Sequence, residues 1–166
     1  MTDAVKRWKS LVDKCKHPQV STELVLAIIA QESGGDRWAY RYEPEYQYFY
    51  DPKRRLPLFN KAKGVEENRR FALSVLGPTE FHAQSASYGL CQIMGAVARE
   101  RSFRGSILEL GDPECNVIYS TMHLWIYGYR GGELSTEQAL QRYNGCGVGN
   151  AMYATEVLNH LAQIDV

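Results

Sequence analysis

Apolar residues recur every three to four positions along most of this chain, and that spacing predicts helices. Val5, Trp8, Leu11, Val12 and Cys15 form one apolar face, with Thr2 as its cap and His17-Pro18 as its stop. Ser21 or Thr22 then opens a second helix, Leu24-Val25-Leu26-Ala27-Ile28-Ile29-Ala30-Gln31-Glu32, which Gly34-Gly35 ends. Glu66 to Leu76 reads as another, stopped by Gly77-Pro78, and Ala96 to Arg101 as a short one. Asp112-Pro113 places a cap ahead of a proline at the first helical position. Behind it, Ile118, Thr121, Met122, Trp125, Ile126 and Tyr129 predict a long central helix. Ser135-Thr136-Glu137-Gln138 fits a capping box for a helix to about Tyr143, and Ala151, Ala154, Val157, Leu158 and Leu161 line a C-terminal one. The predicted class is mainly α.

Two segments break the period. Between about 39 and 60, Tyr40, Tyr42, Tyr46, Tyr48, Phe49 and Tyr50 stand among Pro44, Pro52 and Pro57, too much proline for a helix. Short strands or an ordered loop are expected there. Such rings either stack on apolar sugar faces or pack the insertion onto the body, and both readings stand. The second segment, Gln84 to Gly95, leads from small and polar residues into a short apolar run and suggests a cleft wall.

Composition narrows the class without naming the chemistry. The 166 residues are 45% hydrophobic and 23% charged, which fits one globular domain over 1–166. Lys plus Arg and Asp plus Glu are both 19, so the formal net charge is zero, which argues against nucleic acid as a partner. No stretch reaches the length of a membrane span, so no membrane insertion is expected, and Met1 to Arg7 lacks the apolar run of a signal peptide. Cys15, Cys91, Cys115 and Cys146 are widely spread, with neither a Cys-x-x-Cys pair nor His at zinc spacing. Reduced core thiols are expected, with no metal and no cofactor; a single bridge stays open.

Glu32 is the residue on which chemistry turns. It closes an almost wholly apolar helix just before two glycines, where burial and the negative end of the helix dipole both disfavour its charged form. A carboxyl group kept protonated near neutral pH can donate its proton to a glycosidic oxygen. A lone helix-end Glu more often turns to solvent. Motifs downstream of Glu32 favour the chemical reading.

Glu32-Ser33 after an apolar helix, Gly89-Leu90-Cys91-Gln92-Ile93-Met94, Asp112-Pro113-Glu114-Cys115-Asn116-Val117 and Tyr143-Asn144-Gly145 occur in that order. In this the chain resembles the soluble lytic transglycosylase (SLT) domain family of lysozyme-like enzymes that cut peptidoglycan, and most of all its small bacteriophage and prophage members. The resemblance implies an α+β lysozyme-like domain: a helical bundle around a long central helix, with a substrate cleft and a small irregular or β insertion at about 39–60. It implies that Glu32 protonates the oxygen linking N-acetylmuramic acid to N-acetylglucosamine, then as a carboxylate takes the proton of the muramic C6 hydroxyl, leaving a 1,6-anhydro end. Tyr143 is implied as the catalytic tyrosine whose hydroxyl bonds to that Glu. Gln92 is implied as a cleft residue that hydrogen-bonds sugar substituents, and Met94 as an apolar lining position. Asn144 fixes the loop after its helix and is carried with the substrate-binding positions, while Asn116 and Pro113 shape the start of the long helix. Ser33 serves either a helix-end bond or support of the Glu32 turn.

The chain departs from the family pattern in places. Cys91 stands for Met, Gly95 for Pro, Arg142 for Ala, and Cys146 follows Gly145. The stretch between Glu32 and Gln92 is long, and the serine expected ahead of the Gly-Leu motif falls at Ala83, leaving Gln84, Ser85 or Ser87 to supply it; Ser87 is the candidate. Tyr42 and Glu43 are further substrate-binding candidates from the insertion. Two alternatives stay open. One is a hydrolytic muramidase of the goose-type kind, which needs a second carboxylate from Glu43 or Glu80; the other is a phage structural protein that keeps the fold. The expected partner is the peptidoglycan glycan strand, met by a monomer that a phage particle or secretion machine positions. Synthesis in the bacterial cytoplasm and action on the wall in the periplasm, from a virion or as an endolysin, are the expected locations.

Overall fold

The computed structural model describes residues 1–129, 134–145 and 150–164, which excludes Cys146. It shows the mainly α class expected from the sequence, with a small antiparallel sheet beside the helices.

The first predicted helix is two: α1 (Asp3–Lys6) and α2 (Lys9–Cys15), and Thr2 makes no side-chain cap bond. The chain tightens at Trp8, whose amide reaches back to the Val5 carbonyl. Arg7 and the Trp8 indole both donate to the Gly35 carbonyl, at 3.1 and 3.0 Å. That anchor pulls the turn out of helical register. Gly35, at φ +93°, is required there, since a Cβ would sit 2.3 Å from the Ala4 carbonyl oxygen.

Helix α3 (Thr22–Glu32) starts where expected, with the Ser21 hydroxyl accepting the Leu24 amide. Leu24 through Ile29 are all buried, because α1, α2 and the C-terminal helix α9 (Asn150–Ala162) enclose it. Each such Leu, Val or Ile stabilises the fold by roughly 1.5–3 kcal/mol. A carboxylate at the end of this helix therefore starts from dry surroundings.

The tyrosine-rich segment forms β1 (Tyr40–Tyr42) and a hairpin of β2 (Tyr50–Asp51) with β3 (Leu56–Pro57). Phe49 beneath it stacks on Phe81 at 4.7 Å, and with Leu58 and Ala72 they make a separate apolar cluster. Helix α4 (Val65–Leu76) ends at Gly77, which also opens α5 (Pro78–Gln84), a helix that the sequence pattern did not predict. Pro78 both stops α4 and occupies the first position of α5, and only the first of these roles shows in the local sequence. The expected cleft wall is a hairpin of β4 (Ala86–Tyr88) and β5 (Ile93–Met94), leading directly into α6 (Gly95–Glu100). Strand order is β1-β4-β5, with Arg41 opposite Ser87 and Ser87 opposite Met94. These three side chains share one face of the sheet.

A 3₁₀ turn, Ile107–Gly111, precedes α7 (Pro113–Leu124), whose cap Asp112 accepts the Glu114 and Cys115 amides. The helix continues as a π-helical turn, Trp125–Tyr129. Its buried face differs from the predicted stripe. Asn116, Val117, Ser120, Thr121 and Leu124 are buried, whereas Ile118 and Met122 are only half-buried. Asn116 and Thr121 face inward because they bond to backbone of neighbouring segments, and in the π turn a Cβ on Gly128 would meet that of Ala139 at 2.3 Å. Ala139 belongs to α8 (Thr136–Tyr143), which has the predicted Ser135–Gln138 capping box. On α9 the predicted positions Ala154, Val157, Leu158 and Leu161 do face the core, whereas Ala151 is exposed and Tyr153 takes the inward place at that end. No described helix is long and apolar enough to cross a membrane.

Candidate active site

A cleft of about 550 Å³ opens over the C-terminal end of α3, within the ~300–1,000 Å³ usual for ligand sites. Three stretches of chain line it. The insertion supplies Arg41, Glu43, Pro44, Glu45, Tyr46 and Tyr48; the β5–α6 region supplies Gln92, Ile93, Met94 and Val97; and the far side carries His123, Tyr143, Asn144 and Gly145. Glu32 lies among them.

The turn behind Glu32 is fixed by hydrogen bonds. The Ser33 hydroxyl serves both expected roles: it reaches the Ile29 carbonyl at the helix end at 3.3 Å and the Leu90 carbonyl of the hairpin at 2.8 Å, and it accepts the Gly35 amide, which supports the Glu32 turn. Burial pushes the Glu32 carboxyl up from 4.5 to about 7, against the opposing pull of a Tyr153 hydrogen bond and the Arg41 charge. Near neutral pH such a group can be held either as the acid or as the carboxylate.

The expected partnership between Tyr143 and Glu32 is corrected by the geometry. Tyr143 lines the cleft, but its hydroxyl donates to the Cys91 carbonyl at 3.0 Å. Tyr153, from α9, instead donates to Glu32 Oε1 at 2.8 Å. The reason is topological: α9 packs along α3 and ends its buried face on the carboxylate, while α8 meets the hairpin at Cys91. The spacing of Tyr153, Ala154 and Val157 is visible in the sequence, but a tyrosine within an apolar stripe reads as core. Removing this hydroxyl takes away the larger of the two influences that favour the Glu32 carboxylate, the other being the Arg41 charge. A Tyr153→Phe protein should therefore shift the basic limb of its pH–rate profile upward and lose several-fold in kcat; an unmoved limb in a folded variant would exclude this role.

Other expected contacts are redistributed. Gln92 lines the cleft, yet its amide donates to the Ala39 and Gly89 carbonyls, both at 3.0 Å, and accepts the Ser87 hydroxyl at 2.9 Å. Its two N–H groups are committed inward, leaving one carbonyl lone pair for a substrate donor. The same bonds hold Gln92 at φ +48°, a conformation unusual for a side-chain-bearing residue. Ser87 lies on the cleft face of the sheet between Arg41 and Met94 but is buried beneath Gln92, so it orients that amide and does not line the cleft. Tyr42 is not a lining residue either: alternation along β1 turns Arg41 to the cleft and Tyr42 away, where its hydroxyl accepts from Arg69. Met94 and Asn144 do line it. Cys91 is buried away from the cleft, and burial pushes its thiol up to about 12. Cys15, Cys91 and Cys115 are unpaired thiols.

Of the two carboxylates considered as second acids, Glu80 is committed elsewhere. It holds Arg99 with two bonds, at 2.7 and 3.0 Å, and accepts from Gln84. Glu43 does line the cleft, paired with Arg41 at 2.5 Å. Arg41, Glu45 and His123 are lining residues beyond those the sequence pointed to. Strand alternation could have found Arg41, and Glu45 stands next to Pro44 in the tyrosine-rich segment. His123 carries no positive charge at neutral pH, because burial, then Arg101 beside it, push it down to about 3. Among the described residues, no cluster of three or more His, Cys, Asp or Glu is placed to hold a metal ion.

The family model of the Transglycosylase SLT domain matches residues 11–163. No curated protein and no solved structure matches the chain.

Proposed function

The chain belongs to the transglycosylase SLT domain family, and on that premise we propose that it cleaves the β-1,4 bond from N-acetylmuramic acid to N-acetylglucosamine without water, leaving 1,6-anhydromuramic ends. Family membership makes it a peptidoglycan-degrading enzyme of the lytic transglycosylase type, with peptidoglycan as substrate. The finer chemistry rests on one observation: Glu32 stands in the cleft with its carboxyl bonded to a single hydroxyl, that of Tyr153, and burial raises it to about 7 against the opposing pull of that bond and of the Arg41 charge. In its protonated form it gives its proton to the leaving oxygen. As the carboxylate so formed, it takes the proton of the muramic C6 hydroxyl, which closes onto C1. Protons balance across the two steps, and Glu32 ends as it began. The wall outside the cytoplasmic membrane is then the place of action.

Glu43 favours a second reading. Its carboxylate shares the cleft with Glu32, and a carboxylate there could hold the water of a hydrolytic muramidase. Against this, Glu43 is already paired with Arg41, which would have to release it. Mass spectrometry of muropeptides released from purified peptidoglycan separates the two. Ends lighter by one water are expected; reducing muramic ends would transfer the reaction to Glu32 with Glu43.

A further inference from the structure

Tyr48 is the most exposed aromatic side chain of the cleft lining, with 53% of its surface open. An isolated exposed ring on a protein surface requires no explanation. This one is held in place from several directions. Its ring lies 4.7 Å from that of Phe59 and 5.9 Å from the edge-on ring of Tyr46. The Tyr46 hydroxyl donates to the Tyr48 carbonyl at 3.0 Å, and Arg69 donates to the Tyr46 carbonyl at 2.6 Å. On the other side, buried Phe49 stacks on Phe81, and the Gln84 amide both accepts from the Tyr50 N–H and donates to the Tyr50 carbonyl. The backbone is thus pinned at 46, 49 and 50, around a ring left open toward the cleft. The insertion builds an aromatic surface in advance of any ligand, which lowers the ordering cost of binding.

We propose that Tyr48, backed by Tyr46 and Phe59, forms a subsite that takes the apolar face of an N-acetylhexosamine ring of the glycan strand. The lining determines the occupant: an apolar ring face for the sugar's C–H groups, with the Glu45 carboxylate in the same lining as an acceptor for hydroxyl or acetamido N–H donors. The subsite is continuous with the cleft that contains Glu32, and it rests on the proposed function for the identity of the polymer. Stacking on a sugar face is made equally in ground and transition states, so its loss falls on KM and leaves kcat near its starting value.

The test is calorimetric titration of tetra-N-acetylchitotetraose into Glu32→Gln protein, which binds without cleaving, alone and combined with Tyr48→Ala, Tyr48→Phe or Phe71→Ala. Phe71 is an exposed ring on α4 outside the cleft. Tyr48→Ala should raise Kd about three- to tenfold, Tyr48→Phe should restore it, and Phe71→Ala should leave it alone. With Glu32 intact, Tyr48→Ala should raise KM on peptidoglycan by a similar factor. An unchanged Kd in a folded Tyr48→Ala protein, an equal loss in Phe71→Ala, or no binding by Glu32→Gln itself overturns the subsite. A wild type that releases no muropeptides overturns the proposed function and the subsite together, whereas equal release by wild type and Tyr48→Ala at sub-saturating peptidoglycan overturns the subsite alone.

Discussion

Glu32→Gln should reduce release of muropeptides from peptidoglycan by about 10²–10⁴-fold, the usual worth of a general acid–base group, and the upper end is expected because one group performs both transfers. The amide keeps the size of the side chain and can still accept the Tyr153 hydroxyl, so the cleft should retain its shape. What it cannot do is give a proton to the leaving oxygen. In the wild type the same group sets the pH dependence: kcat/KM should fall as pH rises through about 7, where the acid form is lost. Muropeptide release that persists in the folded variant would remove Glu32 from the reaction.

The substitution has a second signature, in stability, whose sign is fixed by the direction of the shift. Burial raises the Glu32 pKa in the folded protein above its ordinary 4.5, so the folded state holds this proton more tightly than the unfolded chain does. The resulting contribution is fully present below about 4.5, is lost as pH rises toward 7, and is absent above it. Glu32→Gln lacks that titration. At pH 8 the variant should be more stable than the wild type, by on the order of 3 kcal/mol at most, and the difference should shrink on acidification. Denaturant titrations of both proteins at pH 5 and pH 8 measure it. Equal stabilities at both pH values would mean that the carboxyl is not buried in solution.

How much of this is legible in sequence depends on how local each feature is. Helix α3 carries its own cap in Ser21 and its own stop in Gly34-Gly35, so its bounds and the terminal carboxylate can be read directly. The pairing of β1 with β4 cannot, because Arg41 meets Ser87 only after the chain has passed through two more helices and a hairpin. With that pairing hidden, the sequence points Ser87 and Tyr42 to a cleft that neither lines and passes over Arg41. The inward face of α7 is obscured for a different reason. A helix packed on several sides uses Asn116 and Thr121 where the backbone of the hairpin and of His17 approaches, and apolar periodicity is blind to such residues. Tyr143 stands in the motif for the bond that Tyr153 makes, because a motif carries a residue's position and only packing of α8 and α9 decides which hydroxyl reaches Glu32.

Asn116→Ala should be the most damaging substitution outside the reacting groups, and the reason lies in how the hairpin is held. Asn116 is fully buried; its Oδ1 accepts the Cys91 amide at 2.8 Å, and its Nδ2 donates to the Tyr88 and Leu110 carbonyls at 2.7 and 2.8 Å. Gly89 makes the approach possible, since a Cβ there would stand 2.5 Å from that same Nδ2. Truncation leaves one donor and two acceptors buried without this partner, at about 1–3 kcal/mol for each group left unsatisfied, so a total of about 3–5 kcal/mol is expected. In a chain of this size that lowers Tm by about 6–20 °C. Activity should fall further than stability alone explains, because the same turn carries Gln92 and the Cys91 carbonyl on which Tyr143 rests. Asn116→Asp adds a check on mechanism. It keeps an acceptor for the Cys91 amide but turns a carboxyl oxygen toward two carbonyl oxygens, an arrangement that favours the protonated acid. Its stability should therefore decline as pH rises, a dependence that Asn116→Ala should not share. Thermal melts of the three proteins across pH would decide it, and a wild-type melting temperature for Asn116→Ala would show that the hairpin is held by something other than this side chain.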